Sequence, residues 1–184
     1  MELQHFIAKV FVDGELKLNP ARCVDFFHRW VAKQSMPEML VDVAELLHVP
    51  DGPGVIAVGV STDYALDHNA GRWGVLYRRK NVLPGSNADR VAEALRAVAT
   101  TAALLETEFK SEIAFNRREI ELVVNDRALA PNTAETFKAA KADLEAGAKA
   151  FLGHSDFTIE QQGGDPRKRF AVTVKSGKPF SLPV

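Results

Sequence analysis

The sequence predicts an α+β fold, a two-layer sandwich with a mainly antiparallel sheet of about seven strands and about four helices, chiefly on one face. Short runs rich in Val, Ile and Phe occur in pairs joined by turn residues, which is typical of antiparallel hairpins. Longer segments with apolar residues three and four positions apart separate these pairs and indicate amphipathic helices. A chain of 184 residues can bury one sizeable core, and a single domain over residues 1–176 is expected.

The N-terminal segment predicts one strand followed by one helix. Residues 3–13 alternate loosely between apolar and polar types and end in an Asp-Gly turn, as a strand would. Asn19 and Pro20 suit the start of a helix, because Asn can accept a backbone N–H bond and Pro fits the first helical position. The apolar stripe that follows contains Cys23, Phe26, Phe27, Trp30 and Val31.

A second helix is predicted directly after the first. Ser35 and Glu38 have the spacing of a capping box, which is typical of a helix N-terminus. The residues expected to face inward are Leu40, Val43 and Leu47. The helix would end before residues 50–54, because the prolines and glycines of that segment favour a turn.

The middle of the chain predicts a hairpin and a long helix. Residues 55–60 are a short β-branched run of the kind that forms buried strands, and residues 73–80 are the returning strand. Ser86, followed by Asp89, marks a helix N-terminus. Apolar residues at helical spacing continue from there to about residue 107.

A fourth helix is predicted between two further strand pairs. The pair before it consists of residues 113–115 and 119–124. Asn132 and Glu135 have the spacing of a capping box at the start of this helix, and Gly153 is a typical residue at a helix C-terminus.

The last strand pair is a hairpin of residues 157–161 and 169–174, and residues 177–184 are expected to be a loose tail. The predicted order is therefore β-α-α-β-β-α-β-β-α-β-β. Its first part, taken as β-α-β-β-α-β, matches the element order of a ferredoxin-like split unit.

Composition excludes several classes of function. The formal net charge is −1, which argues against a nucleic acid or an anionic membrane as the partner of the whole molecule. Cys23 is the single cysteine, so an internal disulfide and a thiolate zinc cluster are excluded. The N-terminus lacks the pattern of a secretory signal, and no apolar run is long enough for a membrane span. A soluble cytoplasmic protein is expected.

Motifs for catalysis or cofactor binding are missing from the sequence. The glycines of residues 52–59 precede a strand instead of following one, so they do not form a dinucleotide-binding loop. The sequence contains no Walker-type phosphate loop and no HExxH zinc motif. The position of Cys23 on the apolar stripe favours a buried thiol over a nucleophile. We therefore expect no cofactor and no metal, and these absences favour a protein that is not an enzyme.

Residues 61–80 are the most polar candidate for a ligand site. Asp63 and Asp67 face the same way on a strand or on a helical turn. On a strand they lie about 13 Å apart, too far for two carboxylates to share a proton, and only a helical or bent segment would bring them together. Turn chemistry explains much of the segment, since Asp, Asn and Gly at 67–71 suit a hairpin connection. The candidate ligand-binding residues are Asp63, Asp67, His68, Arg72, Arg78 and Arg79.

Two hypotheses for function follow. The first is a non-catalytic domain that binds a protein partner or a second copy of itself. The second is a small enzyme or binding domain for a phosphate- or carboxylate-bearing small molecule that uses residues 61–80. The position of two basic clusters, residues 78–80 and 167–169, distinguishes the two hypotheses. If both clusters line one pocket, the second hypothesis is favoured.

Overall fold

The computed structural model describes residues 1–183 and contains one eight-stranded sheet with three α-helices. The strands are β1 (Phe6–Val12), β2 (Leu40–Leu46), β3 (Gly54–Gly59), β4 (Thr62–Asp67), β5 (Gly74–Arg79), β6 (Phe115–Val124), β7 (Phe157–Gln161) and β8 (Phe170–Ser176). The helices are α1 (Arg22–Lys33), α2 (Asn87–Glu108) and α3 (Ala134–Leu152). The predicted α+β class and the mainly antiparallel sheet are confirmed.

The strand order is β2-β3-β4-β5-β1-β6-β8-β7, and every neighbouring pair is antiparallel. Each helix connects two strands that are parallel to each other and have at least one strand between them. Helix α2 leads from β5 to β6 across β1, and α3 leads from β6 to β7 across β8. The sheet is thus built from three split β-α-β crossings.

All three helices lie on one face of the sheet. Helix α1 packs on β2 and β3, α2 packs on β1 and β5, and α3 packs on α2 and contacts β7 and β8. Strand β1 shows the resulting division, because Phe6, Ala8 and Val10 belong to the main core. The residues between them, including Ile7 and Lys9, point to the opposite face.

Two helix boundaries agree with the sequence prediction and two do not. Ser86 and Asp89 form a capping box at the start of α2, and hydrogen bonds from Ser86 lower the pKa of Asp89. Gly153 ends α3 in the left-handed region with φ 74°. The N-cap of α1 is Ala21 and not Asn19. The N-cap of α3 is Thr133 and not Asn132. The Asn132 side-chain oxygen instead accepts a hydrogen bond from Gln161 Nε2 at 2.8 Å.

The predicted second helix is wrong, because Leu40–Leu46 is an edge strand. Helix α1 ends at Lys33, and its C-cap Gln34 has a left-handed conformation with φ 47°. The Gln34 side chain then donates to the carbonyl of Leu40 and accepts from its N–H, which fixes the entry into β2. The pairing of β2 with β3 outweighs the helical spacing of these residues.

The number of strands also differs from the prediction of about seven, and only three α-helices are present among residues 1–183. Thr62–Asp67, expected to lead into the hairpin turn, is a separate and fully buried strand. The two short strands expected at 113–115 and 119–124 are one strand, β6, whose pairing with β1 contains a bulge. Four strands, not two, therefore lie between α1 and α2, so the chain departs from the ferredoxin-like order.

The segment expected to be a loose tail is attached to the domain at Phe180. Its ring is 5% exposed and packs against Phe151 with centroids 5.5 Å apart. Its N–H donates to the carbonyl of Arg117 at 2.8 Å. None of the helices in residues 1–183 has the length and apolar character that a membrane crossing requires.

Candidate functional site

The sheet face opposite the helices carries a groove of about 1130 Å³. No other element of residues 1–183 covers this face, because all three helices pack on the other side. Alternate residues of β1, β4, β5, β6 and β8 form the floor, and loops at both ends of the strands form the rims. We call this feature the open-face groove.

The middle of the open-face groove is apolar. Ile7, Val123 and Ala171 form a small cluster on adjacent strands and are 6%, 7% and 9% exposed, respectively, and Leu76 packs against them. They are shielded by the long polar side chains around them, although no helix lies above. Such a strip can accept the apolar part of a ligand.

Lys9 and Asp67 form a buried ion pair at one end of the groove. Lys9 Nζ lies 2.6 Å from Asp67 Oδ2, and the two side chains are 3% and 1% exposed. The ammonium group also donates to the carbonyls of Asn69 at 3.2 Å and Arg72 at 2.7 Å. Asp67 in turn accepts from the Asn69 side chain and backbone. This network stabilises the turn between β4 and β5. Lys9 was not among the site residues predicted from the sequence.

Asp63 is the second buried carboxylate of the groove, and two cations surround it. Arg78 Nε donates to Asp63 Oδ2 at 2.9 Å, and Lys80 Nζ lies 2.9 Å from Oδ1. Oδ1 also accepts from the N–H of Gly59 at 3.1 Å. The prediction that Asp63 and Asp67 share a face agrees with the groove lining. Asp63 and Asp67 pair with different cations, so the two carboxylates do not act as a dyad.

Arg72 reaches across the sheet to the neighbouring strands. Its guanidinium lies 3.6 Å from the centre of the Phe11 ring and forms a two-point pair with Glu119, at 3.0 and 3.3 Å. Stacking and bidentate pairing restrict this side chain to one orientation. Arg72 is therefore part of the groove wall and already has a partner.

Both basic clusters identified in the sequence contribute to the open-face groove. The first contributes Arg78 from β5, and the second contributes Arg167, Lys168 and Arg169 from the loop before β8. Arg127 lies beside the second cluster and donates to the carbonyl of Arg167 at 2.8 Å. We call the region of Arg78, Arg127, Lys168 and Arg169 the basic end.

The basic end has an excess of positive charge. Arg127, Lys168 and Arg169 have no ion pair with a carboxylate among residues 1–183, and Arg169 donates only to the neutral amide of Asn125, at 3.2 Å. Seven cationic and four acidic side chains line the whole groove, although the chain has a formal net charge of −1. A local field that attracts anions is thus concentrated on one face.

Two of the predicted site residues lie outside the groove. His68 stacks on Trp73 with ring centroids 4.4 Å apart, and its Nδ1 is 3.8 Å from Asp51. Arg79 points to the helix side, where it pairs with Glu38 at 2.8 Å. Because side chains alternate along a strand, Arg78 and Arg79 point to opposite faces of the sheet.

A second polar cluster lies between α2 and the sheet. Tyr77, 1% exposed, donates from its hydroxyl to Glu93 Oε1 at 2.7 Å. Burial raises the pKa of Glu93, and burial together with the Glu93 charge raises the pKa of Tyr77. Residues 1–183 contain no group of three or more His, Cys, Asp or Glu side chains placed to hold a metal ion.

Comparison with known proteins gives no family to which these features can be referred. No protein-family model matches the chain, and the search of curated proteins finds no matching relative.

Proposed function

We propose that this protein is a non-catalytic binding domain for an anionic small molecule with an apolar body, held in the open-face groove. The observation that carries the proposal is that Arg78 and Arg169 line the same groove from opposite sides, with the apolar strip of Ile7 and Val123 between them. The ligand class is the one that the sequence suggested as the second hypothesis, a phosphate- or carboxylate-bearing molecule.

Sheet geometry supports contact of both arginines with one ligand. Arg78 lies on β5 and Arg169 directly precedes β8, so β1 and β6 lie between them. With a spacing of about 4.8 Å between strands, three steps separate their backbones by about 14 Å across the sheet. Both side chains can therefore contact one ligand that lies across β1 and β6.

Most cations of the basic end lack a carboxylate partner in the described part of the chain, which also supports an anionic ligand. Asp63 partly neutralises Arg78, but Arg127, Lys168 and Arg169 have no carboxylate partner among residues 1–183. An incoming phosphate or carboxylate would gain charge-assisted hydrogen bonds there without displacing an internal counter-ion. The guanidinium groups also suit two-point recognition of such anions.

The groove lining favours binding over catalysis. It contains no Ser, Cys or His among residues 1–183 that could act as a nucleophile or a neutral-pH base. Asp63 and Asp67 are buried and hold structural cations, so neither is free to move a proton. The remaining polar groups can orient a ligand.

The test is calorimetric titration with hexyl phosphate, a probe that carries an anionic head and an apolar chain. We expect Lys168→Glu with Arg169→Glu to weaken binding by roughly tenfold or more, because two ligand-facing charges are reversed. The control is Lys138→Glu with Lys141→Glu on α3, which changes the net charge equally on the helix side. Failure of the unmodified protein to bind, or equal weakening by both double variants, would contradict the proposal.

Self-association is a second candidate, because three exposed apolar side chains gather at the edge strand β2. Met39, Val41 and Val60 are 63%, 52% and 54% exposed, and the N–H of Val60 donates to the carbonyl of Met39 at 2.9 Å. A bulge between Leu40 and Asp42 interrupts the pairing of β2 with β3. Since a bulge hinders strand addition, side-chain contacts would have to hold a dimer at this patch.

Light scattering over a range of concentrations tests self-association. Val41→Lys should convert a dimer into a monomer, since it places a charge in the patch, whereas Val82→Lys should leave it unchanged. Val82 is the matched control because it is 67% exposed and lies outside the patch. A monomeric unmodified protein at the highest concentration would contradict this candidate.

A further inference from the structure

Glu121 is the one acidic side chain lining the open-face groove whose carboxylate has no ion pair and accepts no hydrogen bond within residues 1–183. It is half-buried on β6, between the cross-strand neighbours Lys9 on β1 and Thr173 on β8. Asp63, Asp67 and Glu119, the other three acidic residues of the lining, all have cationic partners.

The adjacent lysine does not neutralise Glu121. An ammonium group has three protons to donate. Those of Lys9 go to Asp67 Oδ2 and to the carbonyls of Asn69 and Arg72. The Thr173 hydroxyl accepts a hydrogen bond from Gln162 Nε2 at 2.8 Å and makes none with Glu121. The Glu121 carboxylate therefore faces the groove with its acceptor capacity unused.

Glu121 and the basic end are separated by the length of a small ligand. Glu121 lies four residues before Asn125, whose side chain contacts Arg169. Four residues of strand correspond to about 13 Å. The apolar strip occupies the interval, because Val123 of β6 lies between Glu121 and Asn125 and pairs with Ile7 on β1.

We infer that the ligand of the open-face groove has two polar ends: an anionic group at the basic end, and an ammonium or other N–H donor that binds Glu121. This inference rests on the proposed function and specifies its ligand class. The apolar part of the molecule spans Ile7 and Val123 and connects the two ends. A ligand with a purely apolar far end would bury the Glu121 carboxylate without a partner, which is unfavourable.

Two probes that differ in one group test the inference. Hexyl phosphate and 6-aminohexyl phosphate share the anion and the chain, and only the second carries a terminal ammonium. Calorimetric titration of the unmodified protein should give an affinity roughly tenfold higher for the aminohexyl ester, because a charge-assisted hydrogen bond is added. Glu121→Gln should abolish this difference, because the neutral amide removes the charge that the ammonium would meet, and it should not weaken the binding of hexyl phosphate.

Glu119→Gln is the matched control, because Glu119 is on the same strand and already pairs with Arg72. It should preserve the preference for the aminohexyl ester. Equal affinities of the two probes for the unmodified protein would refute the inference on Glu121 while leaving an anion-binding groove intact. If Glu121→Gln still prefers the aminohexyl ester, the inference on Glu121 is likewise refuted and the anion-binding groove is not. Binding of neither probe would overturn both the inference and the proposed function.

Discussion

Lys9 and Asp67 form an ion pair of 2.6 Å on the open face of the sheet, with 3% and 1% of their side chains exposed. Lys9 belongs to the central strand β1, whereas Asp67 ends β4, two strands away. The pair thus connects the centre of the sheet to the β4–β5 turn through the side chains. Both charges have further hydrogen bonds, which is the condition under which a buried pair is tolerated.

Removal of one partner of this pair should destabilise the protein strongly. We expect Lys9→Met to lower the free energy of unfolding by about 3–5 kcal/mol, because it leaves the Asp67 carboxylate buried without its cation. The double variant Lys9→Met with Asp67→Asn should be clearly more stable than Lys9→Met alone, since no buried charge remains. Urea unfolding of the four proteins of this cycle gives the coupling energy. Additive effects would show that the pair is not coupled in solution.

The Glu93 carboxyl predicts a pH dependence of stability. Burial raises its pKa in the folded state above the ordinary value of 4.5. The folded protein then binds a proton more tightly than the unfolded chain does. Stability from this group is therefore fully present below pH 4.5 and decreases as the pH rises through the raised folded-state pKa.

Glu93→Gln should remove this dependence. The amide oxygen can still accept the Tyr77 hydroxyl, but it carries no charge to be desolvated. We expect the variant to gain stability relative to the unmodified protein as the pH is raised from 4 to 8, measured by urea unfolding across that range. Glu15→Gln, at an exposed position, is the control and should show no such trend. A constant difference between Glu93→Gln and the unmodified protein would contradict the assignment.

Cys23 should be unreactive in the folded protein. The residue is 0% exposed, and burial raises the pKa of its thiol to about 12, so almost no thiolate is present at pH 8. Alkylation by iodoacetamide should proceed only as fast as the protein opens, and adding urea to the unfolding midpoint should accelerate it greatly. Rapid labelling of the native protein, followed by mass spectrometry, would show that α1 separates from the sheet.

Local patterns determine much of this fold, and the alternation of β4 is the clearest case. It places Asp63 and Asp67 on one face and Tyr64 on the other, as the sequence predicts. The capping box at Ser86 and the glycine at 153 likewise specify helix ends through interactions within a few residues. Features of this kind depend on neighbours in the chain and can be derived from it.

Long-range pairing determines what the sequence prediction missed. Residues 40–46 have helical spacing, and their pairing with β3 overrides it. Lys9 was not predicted as a site residue because its partner Asp67 is 58 positions away. That Arg78 and Arg169 line the same groove similarly depends on the strand order β5-β1-β6-β8. No local signal contains that strand order.

Gly147 should resist substitution because α3 approaches α2 closely there. A Cβ atom at this position would lie 2.6 Å from Val91 Cβ and 2.7 Å from the carbonyl oxygen of Ala88. Alanine inside an unhindered helix is favoured over glycine by about 1 kcal/mol. We nevertheless expect Gly147→Ala to destabilise the protein by about 1–3 kcal/mol, because overpacking exceeds that gain.

Gly153→Ala is the comparison that separates packing from backbone strain. Gly153 has φ +74° and open space around its Cα, so alanine there costs about 1–2 kcal/mol through conformation alone. Val91→Ala should restore a small part of the stability lost in Gly147→Ala, since it removes Cγ1, one of the three atoms that the new methyl group meets, but should restore none of the loss in Gly153→Ala. Thermal unfolding of the three single variants and of the two double variants that contain Val91→Ala distinguishes overpacking from backbone strain. Equal effects of Val91→Ala in both backgrounds would mean that the two helices are not in contact at Gly147.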